Sequence, residues 1–329
     1  MANSNRYNAQ SWPYPRHKEF EAQLRQSNAN WFAEKKFTVN NRIPYLLEKW
    51  EDWPNNIILP EVALFIQNER GVRQKNNEGF PLHKYIHHGL SSQAMLFNLV
   101  GPLIIQGEFS PLKSAFEKHG IIWPRENVTA RFEHENRSIF NEDSGQPTSI
   151  DLVIHGQDNK QSLFIESKLV EHEFGGCSVF AAGDCNGRNP AKNFRNCYLH
   201  HLGRKYWLLL EEYGFLDTPT WTGKICPLAI YYQFFREVLF ALESGGDFVL
   251  LHDQRNPTFY WGEYPNEVGL MPFLVTFIPK ELRKRVHSVS IQQVIGSYKE
   301  LGEFAWLSEF EKKYNLNEPS SIIDTQYGK

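Results

Sequence analysis

The amino-acid sequence predicts an α/β fold, and three features of its order predict it. Residues 15–80 look helical, with breaks, two further helices are predicted before residue 120, and three strand-like segments follow at 128–140, 149–155 and 162–170. Helical and strand-like segments then alternate, which is the order of an α/β protein. Hydrophobic residues make up 41% of the chain, enough for a sizeable core, and the 329 residues fit one large domain or two smaller ones.

Helix signals divide the first part of the chain. A proline suits the first turn of a helix that we expect over residues 60–69. The Asn- and Gly-containing residues 71–80 predict a loop. The serine pair at 91–92 can cap the next helix, which the Gly-Pro pair at 101–102 should end. A further helix is predicted at 110–119.

The second half of the chain mixes helix and strand. An irregular stretch follows the third strand, and an apolar helix is then predicted at 227–242. Short apolar runs predict buried strands at 248–251 and 273–277. Two terminal helices are predicted at 280–286 and 291–314.

Charge and hydropathy limit the classes of function. The net charge is −3, so the chain can bind nucleic acid only through a local basic patch. The N-terminus lacks the apolar core of a signal peptide. The most apolar stretch, residues 225–242, carries Gln233, Arg236 and Glu237, which predicts a buried helix and not a membrane span. We therefore expect a cytoplasmic protein with no membrane partner.

A predicted β-hairpin brings two acids and a lysine together. A Gly-Gln-Asp-Asn turn at 156–159 joins two segments of strand-forming residues. If residues 158–159 form the loop, Asp151 lies opposite Glu166 in the antiparallel pair. Side chains alternate along a strand, so Lys168 shares the face of Glu166.

This group of residues suits the hydrolysis of a phosphodiester bond. Asp151 and Glu166 can hold Mg²⁺ or Mn²⁺, hard cations that keep several waters. Such a metal lowers the pKa of a bound water and stabilises charge on the phosphate. The Lys168 ammonium can orient the attacking water and stabilise the transition state. The three residues therefore predict a metal-dependent nuclease.

The order Asp151, then Glu166-x-Lys168, resembles the signature of the PD-(D/E)xK, restriction-endonuclease-like nuclease superfamily. One position departs from it, because Ile150 stands where the motif has proline. The resemblance implies an αβββαβ core with a central mixed sheet flanked by helices, over about residues 91–280. It also implies that Asp151 and Glu166 are metal ligands and that Lys168 is the catalytic lysine.

The resemblance extends to other segments. Residues 91–98 and 171–175 are similar to those of a poorly characterised bacterial branch of the superfamily. We expect residues 1–80 to form a helical N-terminal extension and residues 81–329 to form the nuclease-like domain. The implied activity is cleavage of DNA in restriction, defence or repair, and a homodimer is left open.

Two alternatives are weighed against the nuclease. In the first, Asp151, Glu166 and Lys168 are a structural cross-strand ion pair on a surface hairpin. Apolar residues on both sides of the two strands favour a functional site, because a sheet buried on both faces hides charges only for a reason. In the second, a nucleic-acid-binding or scaffolding protein keeps the nuclease fold without cleaving. The intact set of two acids and a lysine speaks against it.

Other polar residues near the hairpin are weaker candidates. Glu133, Glu135 or Glu171 can be a third metal ligand, although a solvated surface position is favoured for each. Gln93 and Asn98, on the helix before the sheet, can touch the phosphate or a water. Ordinary polarity of a helix surface explains those two equally well.

Four cysteines follow the catalytic motif. Cys177, Cys185 and Cys197 can bind zinc or an iron–sulfur cluster, and Cys226 lies further along the chain. Their spacings lack the tight pairs of common zinc sites. Ordinary buried thiols are therefore the favoured interpretation.

A basic segment lies at residues 185–205, which carry cations and no acid. We expect Arg188, Lys192 and Arg195 to lie on the rim of the cleft and to contact the phosphate backbone of nucleic acid. The aromatic residues Phe194, Tyr198 and Tyr206 are interleaved in and beside this segment and can stack on bases. A plain solvated surface is the alternative.

Overall fold

A five-stranded mixed sheet is the centre of the fold. The computed structural model describes residues 18–125, 127–156, 161–259, 269–302 and 304–316. The strands follow one another across the sheet in chain order. They are β1 (Thr129–Glu135), β2 (Ser149–His155), β3 (Ser162–Lys168), β4 (Asp247–His252) and β5 (Val286–Ser290). β1, β2 and β3 are antiparallel, whereas β4 and β5 run parallel to β3. The predicted α/β fold with a central mixed sheet is confirmed.

Helices surround this sheet. Before β1 come α1 (Lys18–Glu34), α2 (Pro60–Lys75), α3 (Ser92–Gln106) and α4 (Ser110–Lys118). After β1 comes α5 (Arg137–Phe140), and between β3 and β4 lie α6 (Ser178–Ala181), α7 (Tyr198–His201), α8 (Tyr206–Glu212) and α9 (Pro227–Glu243). The last helices are α10 (Leu270–Val275), α11 (Ile291–Leu301) and α12 (Leu307–Lys313). The 3₁₀ turns of the described chain are Trp50–Asn56, Phe194–Asn196, Phe215–Asp217, Pro219–Thr222 and Arg283–Arg285.

Apolar cores lie on both faces of the sheet. On one face, Leu152 and Ile165 pack in a core shared with α1 to α4, α11 and α12. On the other face, Val153 and Phe164 pack with α8, α9 and α10. Because the middle strands are buried on both faces, each polar side chain on them needs a partner. The boundary expected at residue 80 stays a prediction.

Two predicted helix ends are wrong, although the predicted serine cap is confirmed. Ser91 Oγ accepts the Ala94 N–H at 3.2 Å at the start of α3. That helix continues through the Gly-Pro pair to Gln106, and Gly101 packs closely against Val62 of α2. Helix α2 continues past residue 69 to Lys75, so the predicted loop at 71–80 begins only after that residue.

The first predicted strand is shorter than expected. β1 ends at Glu135, where Asn136 Oδ1 accepts the Ser138 N–H at 3.2 Å and begins α5. The centre of the predicted hairpin turn, residues 157–160, lies outside the described residues. In the described chain, no helix is long and apolar enough to cross a membrane.

The C-terminal predictions need three corrections. The strand predicted at 273–277 is wrong, because the buried residues Leu270 and Leu274 have helical spacing and form α10. The helix predicted at 280–286 is also wrong: a 3₁₀ turn leads there into β5, which completes the parallel side of the sheet. The helix predicted at 291–314 is two helices, and α11 ends before Gly302.

Candidate active site

Three acidic residues lie side by side on β1, β2 and β3. The antiparallel register of β2 and β3 includes the pair Leu152–Ile165, and its next step brings Asp151 opposite Glu166. On the other edge of β2, the pairs Phe132–Leu152 and His134–Ile150 join it to β1. Glu133 lies between the first residues of these pairs and therefore opposite Asp151. The sequence predicted the first of these pairings and not the second.

The backbone of β3 orients Asp151. The N–H of Ser167 donates a hydrogen bond to Asp151 Oδ2 at 2.8 Å. Burial raises the pKa of Asp151 well above its ordinary value, and the negative charges of Glu166 and Glu133 raise it further. Such a carboxyl group tends to keep a proton unless a cation compensates its charge.

Glu166 and Lys168 form a buried ion pair that a helix supports. Lys168 Nζ lies 2.5 Å from Glu166 Oε1. Gln233 of α9 bridges the pair, because its Nε2 donates to Glu166 Oε1 at 2.7 Å and its Oε1 accepts from Lys168 Nζ at 3.2 Å. Burial alone lowers the pKa of Lys168, but Glu166 and other nearby acids raise it above its ordinary value. The lysine is therefore a fixed ammonium ion.

Glu133 occupies a strained and well-bonded position. Gln93 Nε2 donates to its Oε1 at 2.6 Å, and Ser149 Oγ donates to its Oε2 at 2.8 Å. Burial raises the pKa of Glu133 to about 7, although these two hydrogen bonds act to lower it. Its φ of +50° is left-handed, and Arg73 donates to its carbonyl oxygen at 2.9 Å. Strained backbone of this kind clusters at functional sites.

One face of α9 closes the buried side of the site. Gln233, Arg236 and Glu237 are spaced i, i+3 and i+4, so they share a face of the helix. Burial and the charge of Glu166 raise the pKa of Glu237 well above its ordinary value. From the sequence, these residues served only to exclude a membrane span, and their place in the site was not predicted. Their helical spacing within an apolar segment was the available signal.

The two central carboxylates suit a hard divalent cation. Glu166 Oε2 is buried and has no hydrogen-bond partner among the described residues. A cation there would satisfy this oxygen and would offset the repulsion that raises the pKa of Asp151. No three His, Cys, Asp or Glu side chains of the described chain converge as a complete metal cage. Mg²⁺ does not require one, because it binds through one or two carboxylates, waters and substrate phosphates.

The acids line a cleft of about 1100 Å³. Glu135, Glu171 and Gln93 line it as well, whereas Asn98 does not. Asn98 is buried and donates to the hydroxyl of Tyr314 at 3.0 Å, so it joins α3 to the C-terminal end of the fold. Metal ligation by Glu133, Glu135 or Glu171 stays a prediction.

The basic segment surrounds a second pocket of about 500 Å³. Arg188 and Lys192 line this pocket. Arg195, three residues after Lys192 in the sequence, is exposed and is not part of the lining. Within the described residues, none of the three lines the cleft that holds Glu166. Their contact with nucleic acid stays a prediction.

All four cysteines line this second pocket as free thiols. Cys177 and Cys226 are buried, and Cys185 and Cys197 are partly buried. Among the residues that the structure describes, no three of them stand close enough to hold one metal ion. A zinc or iron–sulfur site stays a prediction.

Comparison with known proteins gives one match. The family described as Restriction Endonuclease associating with ARP matches residues 19–315. This range includes the N-terminal helices, the whole sheet and the acidic cleft. No curated protein and no solved structure matches the chain.

Proposed function

The chain belongs to the family Restriction Endonuclease associating with ARP, and from its acidic cleft we propose that it is a metal-dependent deoxyribonuclease. The observation that carries this proposal is the half-buried Asp151 beside the buried pair of Glu166 and Lys168, in which one oxygen of Glu166 has no hydrogen-bond partner among the described residues. A restriction, defence or repair role fits the family description.

In this proposal Asp151 and Glu166 hold Mg²⁺ or Mn²⁺. When bound, such a metal polarises the phosphate and acidifies a coordinated water. Ser167 fixes the Asp151 carboxylate through a backbone hydrogen bond of 2.8 Å, so the ligand is oriented before the metal binds. The side-chain amide of Gln233 orients Glu166 in a similar way, because its Nε2 donates to Glu166 Oε1 at 2.7 Å.

Lys168 supplies the positive charge that the transition state needs. Its ammonium shares the strand face of Glu166, and nearby acids keep it protonated. From this position it can donate hydrogen bonds to a phosphate oxygen and stabilise the charge that develops during bond cleavage. Gln233 accepts from the ammonium at 3.2 Å and limits its movement.

The ion pair of Lys168 and Glu166 alone would also suit a purely structural role. That interpretation leaves Asp151, Glu133 and Glu237 unexplained, because burying further acids beside a satisfied pair costs desolvation energy and adds repulsion. A site that binds a cation and a phosphate accounts for the whole group.

A cleavage panel tests the proposal. Linear and circular DNA, single- and double-stranded, would be incubated with the full chain with and without Mn²⁺. Lys168→Ala, purified in parallel, controls for contaminating nucleases. We expect cleavage that requires Mn²⁺ and the wild-type lysine. Equal cleavage by the wild type and the variant, or none with any DNA, would overturn the proposal.

A further inference from the structure

A second wall of the cleft is formed by residues 81–91, here named the cleft loop. His83, Lys84 and Tyr85 of this loop line the same cleft as the acids. His83 lies within electrostatic range of Lys168 and Glu171. The cleft loop therefore stands close to the proposed catalytic lysine.

Side-chain amides hold the cleft loop in place. Gln93 Oε1 accepts the N–H of His83 at 2.8 Å, and its Nε2 donates to Glu133 at 2.6 Å. Asn56 Nδ2 donates to the carbonyl oxygen of Ile86 at 2.8 Å. One glutamine thus joins the loop to the acidic strands, so the two walls keep a fixed relation to each other.

The cleft loop presents an aromatic ring and a cation to the cleft. Tyr85 is 52% exposed, although aromatic side chains are usually well buried. The ammonium of Lys84 lies 4.8 Å from the centroid of its ring, and Lys84 is exposed too. Tyr85 is also the only Phe, Trp or Tyr in the described lining of the cleft.

We infer that the cleft takes an unpaired DNA strand, with a base stacked on Tyr85 and phosphates beside Lys84 and Arg25. An aromatic ring binds the face of a base, and the faces are free only where the strand is unpaired. This inference rests on the proposed nuclease function and specifies its substrate.

The charges of the cleft oppose a duplex more strongly than a single strand, because a duplex carries twice the phosphate charge per unit length. Acids outnumber cations in the lining: the acids are Glu21, Glu133, Glu135, Asp151, Glu166 and Glu171, and the cations are Arg25, Lys84, Lys168 and Arg236. A protein that holds a duplex through its backbones needs a broad basic surface. Stacking, which does not depend on net charge, compensates for its absence here.

The test measures binding apart from cleavage, with Ca²⁺ in place of Mn²⁺ to keep the DNA intact. Fluorescence anisotropy would compare a labelled single strand with its duplex for the wild type, Tyr85→Ala and Tyr85→Phe. A strand containing 2-aminopurine reports stacking directly. Phe273→Ala is the matched comparison, because Phe273 is 38% exposed on α10 and lines neither the cleft nor the second pocket.

We expect tighter binding of the single strand and a loss of about tenfold for Tyr85→Ala. Tyr85→Phe should keep both the affinity and the 2-aminopurine signal, and Phe273→Ala should keep the affinity. Lys84→Gln should reduce the salt slope by about 0.7, whereas Lys113→Gln on α4 should not change it. Unchanged affinity in Tyr85→Ala, or tighter binding of the duplex, would overturn this inference. Absence of Mn²⁺-dependent cleavage would instead overturn the nuclease proposal and leave these binding results intact.

Discussion

Ser167 donates its backbone N–H to Asp151 Oδ2 at 2.8 Å, so the residue between Glu166 and Lys168 orients the acid on the neighbouring strand. The bond uses the backbone of Ser167 and not its side chain. The residue between Glu166 and Lys168 in the Glu-x-Lys pattern thus supplies the hydrogen bond that places Asp151 beside them, so two neighbouring strands position all three side chains. Any small residue at position 167 would preserve this arrangement.

The first prediction concerns Asp151 as a metal ligand. Asp151→Asn should weaken Mn²⁺ binding by at least about tenfold, because the cation is then held by a single charged carboxylate. Ser167→Ala keeps the backbone donor and is the control, so its affinity should match the wild type. Isothermal titration calorimetry measures both variants. Wild-type affinity in Asp151→Asn would show that this carboxylate is not a ligand.

The second prediction concerns Gln233, which holds both Glu166 and Lys168 through hydrogen bonds. Gln233→Ala should reduce the single-turnover cleavage rate by roughly 10- to 100-fold, as expected for a residue that positions a metal ligand. Gln67→Ala changes an exposed glutamine of α2 and should leave the rate unchanged. The idea fails if the two variants cleave equally fast.

The third prediction concerns the pH dependence of stability that the buried acid Glu133 causes. Its pKa is raised from 4.5 to about 7, so between these values the folded chain holds a proton that the unfolded chain has released. The free energy of unfolding should therefore fall as the pH rises from about 4.5 to about 7. For Glu133 alone the fall is on the order of 3 kcal/mol.

Urea unfolding at pH 5 and pH 8, in EDTA, measures this effect. Glu133→Gln cannot release a proton, so its stability should fall less between the two pH values than that of the wild type. Replacing EDTA by Mn²⁺ at pH 8 should stabilise the wild type, because the cation binds only the folded chain. The same pH dependence in both proteins would contradict the prediction.

The strands of the proposed site were predictable because their signals are local. A short turn fixes the register of a hairpin, so Asp151, Glu166 and Lys168 could be placed from a few residues of sequence. Gln233 and Glu237 of α9 reach the site only through packing of a distant helix on the sheet. Their helical spacing shows that they share one face of α9, but no local pattern shows that this face meets β3.

Short segments whose state depends on tertiary contacts caused two of the errors in the predicted fold. The run at 273–277 is too short for its pattern to separate helix from strand. β5 was missed because residues 286–290 contain a histidine and two serines, residue types that are usually exposed. These residues form a strand by pairing with β4. Tertiary contacts decided both cases.

The fourth prediction concerns the basic segment, where Arg188, Lys192 and Arg195 are all exposed. If they contact the single strand, replacing the three by Ala should weaken binding and lower the salt slope by about 0.7 for each lost phosphate contact. Anisotropy titrations over a range of salt concentrations measure the slope. A slope equal to that of the wild type would assign the segment to a plain solvated surface.

The fifth prediction concerns Lys168, whose charge is needed in the transition state more than in binding. Lys168→Ala should keep Mn²⁺ and DNA affinity, since neither Asp151 nor Glu166 is changed. Lys168→Arg should not restore cleavage, because a planar guanidinium does not replace a compact ammonium at this position.

Single-turnover cleavage in Mn²⁺, measured beside calorimetric Mn²⁺ affinity, tests the central claim most directly. For Lys168→Ala the account predicts a cleavage rate lower by on the order of 100- to 1000-fold with metal affinity preserved. Full cleavage by Lys168→Ala would contradict the assignment of this site as the catalytic centre.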